Sequence, residues 1–159
     1  YLFRPETVLI ALVVGAVMMI VVEKRKFKPS YITLDDMTPK LALGIGCFQC
    51  LALWPGFSRS ASTIMGGMLL GGKRSLAAEY SFIAAVPIMV AATGYDMLKS
   101  WHLFSAADIP FFAVGMIGSF LSALLAVKVF IALMGRVTLV PFAVYRLLIA
   151  PFIYYFMVN

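Results

Sequence analysis

The stretch Pro55-Gly56-Phe57-Ser58-Arg59-Ser60-Ala61-Ser62-Thr63 puts a helix breaker, a permanent cation and a series of hydroxyls within one short segment. Pro55-Gly56 is suited to end one helix, and Ser58 is placed to cap the next, its oxygen accepting a free backbone N–H. The first amides of that second helix would point into the break, where the helix dipole adds partial positive charge. Arg59 contributes a planar fork of donors, and Ser60, Ser62 and Thr63 add hydroxyls on or beside the same turn. This is the chemistry of an anion site, and phosphate suits it best. Ser and Thr also satisfy freed carbonyls in broken membrane helices. That reading covers the hydroxyls but gives Arg59 no reason to be there.

The elements that must position these residues are apolar helices. The 159 residues are 63% hydrophobic and only 13% charged, with a mean hydropathy of +0.99. A soluble domain carries roughly 45–50% apolar and about 25% charged residues. A soluble enzyme, a disordered segment and a secreted disulfide scaffold are thereby excluded, leaving an integral membrane protein. The net charge of +6 then reads as a record of membrane orientation rather than a nucleic-acid surface, and no nucleic-acid partner is expected.

Thr7 to Val22 is an unbroken apolar run, and its sixteen residues give about 24 Å of helix, enough with its flanks to cross a bilayer. It ends in the basic cluster Glu23-Lys24-Arg25-Lys26-Phe27-Lys28. From Leu41 to Gly72 the sequence is apolar and glycine-rich but interrupted at Trp54 to Ser60. A single helix through Pro55-Gly56, with Arg59 at membrane depth, would be costly. Two short helices meeting at a polar break are expected instead. Ala77 to Lys99, Ile109 to Met134 and Leu139 to Val158 supply three more helices. If residues 41–72 enter and return on one side, Lys24, Arg25, Lys26, Lys28, Lys40, Lys73, Arg74 and Arg136 share a face. Only Arg4 and Lys99 then lie opposite, a bias that a single crossing would destroy. The expectation is an all-α integral membrane fold with about four transmembrane helices and one re-entrant helical hairpin at 41–72.

At the break the sequence also resembles the undecaprenyl-diphosphate phosphatase family of bacterial inner membranes, the bacitracin-resistance type. Its PGxSRSxxT motif is matched at Pro55, Gly56, Ser58, Arg59, Ser60 and Thr63. The flanks Gly46 to Trp54, Leu34 to Thr38 and Pro141 to Arg146 are similar too, so the resemblance covers nearly the whole chain. It implies a phosphatase that removes the terminal phosphate of the C55 lipid carrier diphosphate and recycles the carrier for cell-wall synthesis. It also implies two inverted repeats, each with a re-entrant hairpin, around a site reached from the periplasmic side. In such a site Arg59 and Ser58 would act in catalysis, and Gly56, Ser58, Arg59, Ser60 and Thr63 would hold the diphosphate.

The family's other half carries a glutamate-rich E-x-x-x-E-type motif and a Ser-Ser-Thr-Gly-His segment, and neither occurs here. Gln49 and Leu53 have that spacing but are not carboxylates, and His102 lies outside any matching pattern, expected to be an ordinary interfacial residue. The 159 residues therefore read as a single membrane domain equivalent to the C-terminal half of a longer chain. A divalent cation, Mg or Ca, would find its ligands in the N-terminal half, which is the first expected partner along with the polyprenyl diphosphate and the membrane. A homodimer is left open. This half alone is expected to have negligible activity.

The competing reading is a transporter or lipid flippase, since broken helices and midplane polar groups also mark transporters. A purely structural subunit is the third. Among the remaining residues, Cys47 and Cys50 are expected to be small buried thiols, and Glu79 to stabilise a helix start. Arg146 needs an internal partner, and an ion pair or backbone carbonyls are favoured over contact with the substrate. Lys128 is expected to snorkel, and Asp96 to be solvated near the opposite interface.

Overall fold

The computed structural model describes residues 4–25 and 28–157. Lys26 of the basic cluster and Val158 at the expected end of the last helix lie outside them. The described residues form six α-helices: α1 (Pro5–Lys24), α2 (Pro39–Gln49), α3 (Arg59–Leu69), α4 (Arg74–Ser100), α5 (Ile109–Met134) and α6 (Val140–Met157). No strand occurs among them, only an isolated bridge between Tyr31 and Gly72. Helices α1, α4 and α5 are long and apolar enough to cross a membrane, while α6 is a shorter apolar helix. The protein is a multi-pass membrane protein. Helix α4 runs on through Pro87, as membrane helices tolerate.

Residues 39–69 form an antiparallel pair. Gly44 faces Leu70, Ile45 lies near Gly67, and Phe48 sits over Gly66, so residue numbers on the two helices run in opposite directions. Both outer ends meet at the far end of α1. The amides of Ser30 and Tyr31 donate to the Gly71 carbonyl at 2.8 and 3.1 Å, and that of Lys73 donates to Tyr31 at 2.8 Å. The inner ends meet near the start of α1, where the Trp54 indole donates to the Thr7 carbonyl at 3.1 Å. Thr7 and Lys24 are about 25 Å apart along the helix, so the hairpin runs nearly the whole length of α1.

Small residues allow this packing, as they do wherever membrane helices approach closely. Helix α3 lies between α2 and α4. A Cβ on Gly66 would come within 2.5 Å of Phe48, and one on Gly67 within 2.5 Å of the Ala77 Cβ. The second neighbour cannot rotate away, because a Cβ moves only with its backbone. Gly67→Ala is therefore expected to cost about 1–3 kcal/mol through overpacking. Thermal unfolding of the full-length protein in detergent should show a lowered Tm; an unchanged Tm would mean that α3 and α4 can separate freely.

Helix α1 packs mainly on α6, with Ala11, Ala16, Met19 and Val22 buried against a core that includes Ala143 and Leu139. Helix α5 stands at the rim, and of its residues only Met134 is buried. At the basic end Glu23 joins three elements. Its carboxylate pairs with Arg74 and accepts the Leu139 amide at 3.1 Å, while Arg74 Nε donates to the Met134 carbonyl at 2.9 Å. The pair is largely withdrawn from solvent, with side chains 19% and 12% exposed. Removing one partner leaves the other charge without its counterion, so Glu23→Gln should cost roughly 2 kcal/mol. Adding Arg74→Met should recover part of that loss; a double variant no more stable than the single one would show that the charges are not coupled.

Two expectations are corrected here. Cys47 and Cys50 are exposed rather than buried, because they fall on the side of the hairpin turned away from α3. Glu79 is not in the first turn of α4, which holds no acidic residue, since the helix already begins at Arg74. His102, Asp96 and Lys128 are all exposed.

Candidate anion-binding site

The break lies between a short 3-10 turn at Cys50–Leu53 and the start of α3. Pro55-Gly56 reverses the chain, with Gly56 at φ +92°. A side chain there would collide with the Val8 carbonyl, so only glycine fits both the backbone and the space. Phe57 is buried at 2% exposure and plugs the turn into the core. Ser58 follows at φ 81°, the one non-glycine residue with positive φ among those described. A non-glycine residue in that region costs on the order of 1–3 kcal/mol, and such residues collect at functional sites.

Two contacts keep Ser58 in place. Its hydroxyl accepts the Ala61 amide at 3.4 Å, and its carbonyl accepts the Ser62 amide at 3.1 Å. The N-cap expected from sequence is thus formed. Of the first amides of α3, those of Arg59 and Ser60 remain at the open end of the helix, where the dipole makes the potential positive.

The hydroxyls divide into two pairs. Ser58 Oγ and Ser60 Oγ lie 3.4 Å apart and both line a cavity. Ser62 and Thr63 are fully buried, and their hydroxyls turn back onto the helix. Ser62 Oγ donates to the Arg59 carbonyl at 2.8 Å. Thr63 Oγ1 lies 3.0 Å from that same carbonyl, 3.1 Å from the Ser60 carbonyl and 2.7 Å from Ser81 Oγ on α4. In this arrangement Thr63 ties α3 to α4 rather than facing the break.

The two arginines have different tasks. Arg59 is half-buried, and one of its nitrogens donates to the Ser81 carbonyl at 3.4 Å. Its other donors have no partner among the described residues. Arg146, on α6, is engaged with the loop: Nη2 donates to the Gly56 carbonyl at 2.6 Å and Nη1 to the Phe57 carbonyl at 3.0 Å. Its fork reaches them past Gly15 of α1, where a Cβ would lie 2.9 Å from the guanidinium. The sequence offered an ion pair or carbonyls as the partner of Arg146, and the structure gives the carbonyls.

Gly56, Ser58, Ser60 and the α3 start are thus brought together, with Arg59 on the α4 side and Thr63 behind the helix. Sequence reasoning did not say which carbonyls Arg146 holds, and it missed the contacts of Trp54 and Ser81. One signal was available for Arg146. Pro55-Gly56 frees carbonyls at membrane depth, and an arginine in a neighbouring apolar helix is the donor such carbonyls need.

The family described as Bacitracin resistance protein BacA matches residues 1–152. The chain belongs to the BacA family. Among BacA-like relatives, an undecaprenyl-diphosphatase of Desulfovibrio desulfuricans is 84% identical over 159 residues, which cover 100% of this chain and 60% of that protein. One from Nitratidesulfovibrio vulgaris is 73% identical over 157 residues, covering 99% and 59%. One from Maridesulfovibrio salexigens is 70% identical over 156 residues, covering 98% and 59%. The chain therefore spans about 60% of the length of these curated relatives.

The residues at the break do not fit a divalent cation. No three His, Cys, Asp or Glu side chains come together among the described residues. Arginines and hydroxyls meet at the break instead, and arginine repels the metal that carboxylates would hold.

Proposed function

We propose that this chain supplies the diphosphate-holding side of an undecaprenyl-diphosphate phosphatase, with residues 41–72 as a re-entrant hairpin in the bacterial inner membrane. The observation that carries this reading is the start of α3. A strained Ser58 precedes the helix N-terminus, and Arg59 keeps most of its donors unpaired among the described residues. The names of the relatives supply the substrate class, a prenyl diphosphate. The eight-to-two division of basic residues supports access to the break from the periplasmic side.

In this reading the amides of Arg59 and Ser60 and the hydroxyls of Ser58 and Ser60 donate to the oxygens of the diphosphate. Arg59 meets the charge that grows as the terminal phosphoryl group leaves. Phosphoryl transfer depends almost entirely on such positioning and charge stabilisation. The nucleophile and the ligands of a divalent cation belong to the part of the relatives that this chain does not span.

Phosphate release from undecaprenyl diphosphate in detergent with Mg²⁺ tests the proposal. The 159-residue chain alone should release nothing, and the full-length protein should release phosphate. Release by the chain alone would move the nucleophile to Ser58 or Ser60. No release from a folded full-length protein that still binds the lipid would replace the hydrolase with a transporter.

A further inference from the structure

A separate cavity, of about 280 Å³, lies at the outer end of the hairpin, at the opposite end from the break. Arg25, just past α1, and Lys73 and Arg74, at the start of α4, line it together with Glu23 and Met68. The backbone brings these segments together. Gly71 turns the chain at φ +90°, and its carbonyl takes the Ser30 and Tyr31 amides while the Lys73 amide donates back to Tyr31. Arg74 is occupied by the fold, through Glu23 and the Met134 carbonyl. Arg25 and Lys73 are exposed and make no ion pair among the described residues. Because Glu23 offsets Arg74, the charges of Arg25 and Lys73 stand uncompensated at the cavity.

Membrane orientation explains why basic residues crowd this face, but Lys24 and Lys28 serve that purpose without lining the cavity. Depth and size point to a ligand. The apolar run of α1 ends at Val22, and Arg25 follows about 4.5 Å further along. That level falls within the headgroup layer, which is roughly 5–7 Å deep on each side of the hydrocarbon. The volume equals roughly nine waters at about 30 Å³ each, the bulk of a glycerol phosphate. The basic end is also the side that positive-inside counting assigns to the cytoplasm, whose leaflet carries anionic lipids, and basic pockets between helices on that side hold their headgroups. We propose that this cavity binds the headgroup of an anionic phospholipid, its phosphate between Arg25 and Lys73 and its acyl chains in the surrounding bilayer. The bound lipid fastens the outer end of the hairpin to α1 and α4. A zwitterionic lipid brings a cation of its own to the same place and is held less well.

Thermal unfolding of the full-length protein in neutral detergent tests this, with phosphatidylglycerol or phosphatidylcholine added at equal mole fraction. At ten times half-saturation phosphatidylglycerol should raise the wild-type Tm by about 3–6 °C, and phosphatidylcholine should leave it nearly unchanged. Arg25→Gln with Lys73→Gln should abolish the rise while keeping the wild-type Tm in phosphatidylcholine, which reports that the variant is folded. Lys24→Gln with Lys28→Gln removes the same charge from the same face outside the cavity and should keep the rise. If the cavity double variant does not fold, Lys73→Gln alone decides, and it should at least halve the rise. A rise retained in the folded cavity variant, a rise lost equally in both double variants, or a wild type indifferent to phosphatidylglycerol would overturn the site. An equal rise with glycerol 3-phosphate in place of the lipid would overturn the lipid as its occupant and assign the cavity to a soluble phosphate.

Discussion

Arg59→Ala in the full-length protein should lower kcat/KM for the prenyl diphosphate by roughly 10²–10³-fold, about 2.7–4 kcal/mol of transition-state stabilisation. The magnitude follows from what Arg59 does not do in the fold. Its side chain makes a single hydrogen bond among the described residues, a 3.4 Å donation to the Ser81 carbonyl, so little stability is lost with it, and Tm should stay close to wild type. Its remaining donors are what the variant removes. Arg59→Lys should also be impaired, because an ammonium is a point charge and cannot reproduce a planar fork. Steady-state phosphate release alongside thermal unfolding checks both. A rate within a few-fold of wild type for Arg59→Ala would take this residue out of the chemistry, and full activity in Arg59→Lys would reduce its role to simple charge attraction.

Arg146→Met should behave in the opposite way, losing stability as well as activity. Its guanidinium satisfies the Gly56 and Phe57 carbonyls at 2.6 and 3.0 Å, and hydrogen bonds to a charged group are worth roughly 1.5–3 kcal/mol each. Their loss leaves two carbonyls unpaired beside the strained Ser58, and a total cost of about 3 kcal/mol is expected. The rate should fall because the α3 start is no longer held in place. Arg146→Lys can reach one carbonyl but not both, so it should fall between. The distinguishing readout is Tm. A large loss of rate in Arg146→Met without any loss of Tm would mean that Arg146 touches the substrate, whereas Arg59→Ala should show that pattern itself.

The two arginines also mark how far the sequence could be read. The helices were legible because a run such as Thr7 to Val22 leaves no alternative for a chain this apolar, and the fifth matched from Ile109 to Met134. The break was legible because Pro55-Gly56 and Ser58 are local signals that need no tertiary partner. What hydroxyls do once the helix forms was not legible. Ser60 and Thr63 lie three residues apart on one short helix, yet Ser60 lines a cavity while Thr63 bonds to Ser81 on α4. That difference depends on which face of α3 meets α4, and the choice is made by Gly66, Gly67 and Ala77 through steric fit. The Arg146 fork depends likewise on Gly15, in a helix distant in sequence from both the arginine and the loop. Glu23 read as part of a basic cluster because its partner, Arg74, lies far along the chain. Cys47 and Cys50 looked like core residues because they sit in a mostly apolar stretch, but in a membrane protein apolar surroundings do not imply burial within the chain.

The most direct test of anion binding at the α3 start is ³¹P NMR of farnesyl diphosphate titrated with the full-length protein in detergent, wild type against Arg59→Ala, without divalent cation so that no turnover intervenes. Saturable broadening of both phosphorus resonances in wild type, weakened at least tenfold in the folded Arg59→Ala variant, is the predicted result. Equal broadening in the two proteins would place the diphosphate elsewhere and contradict it.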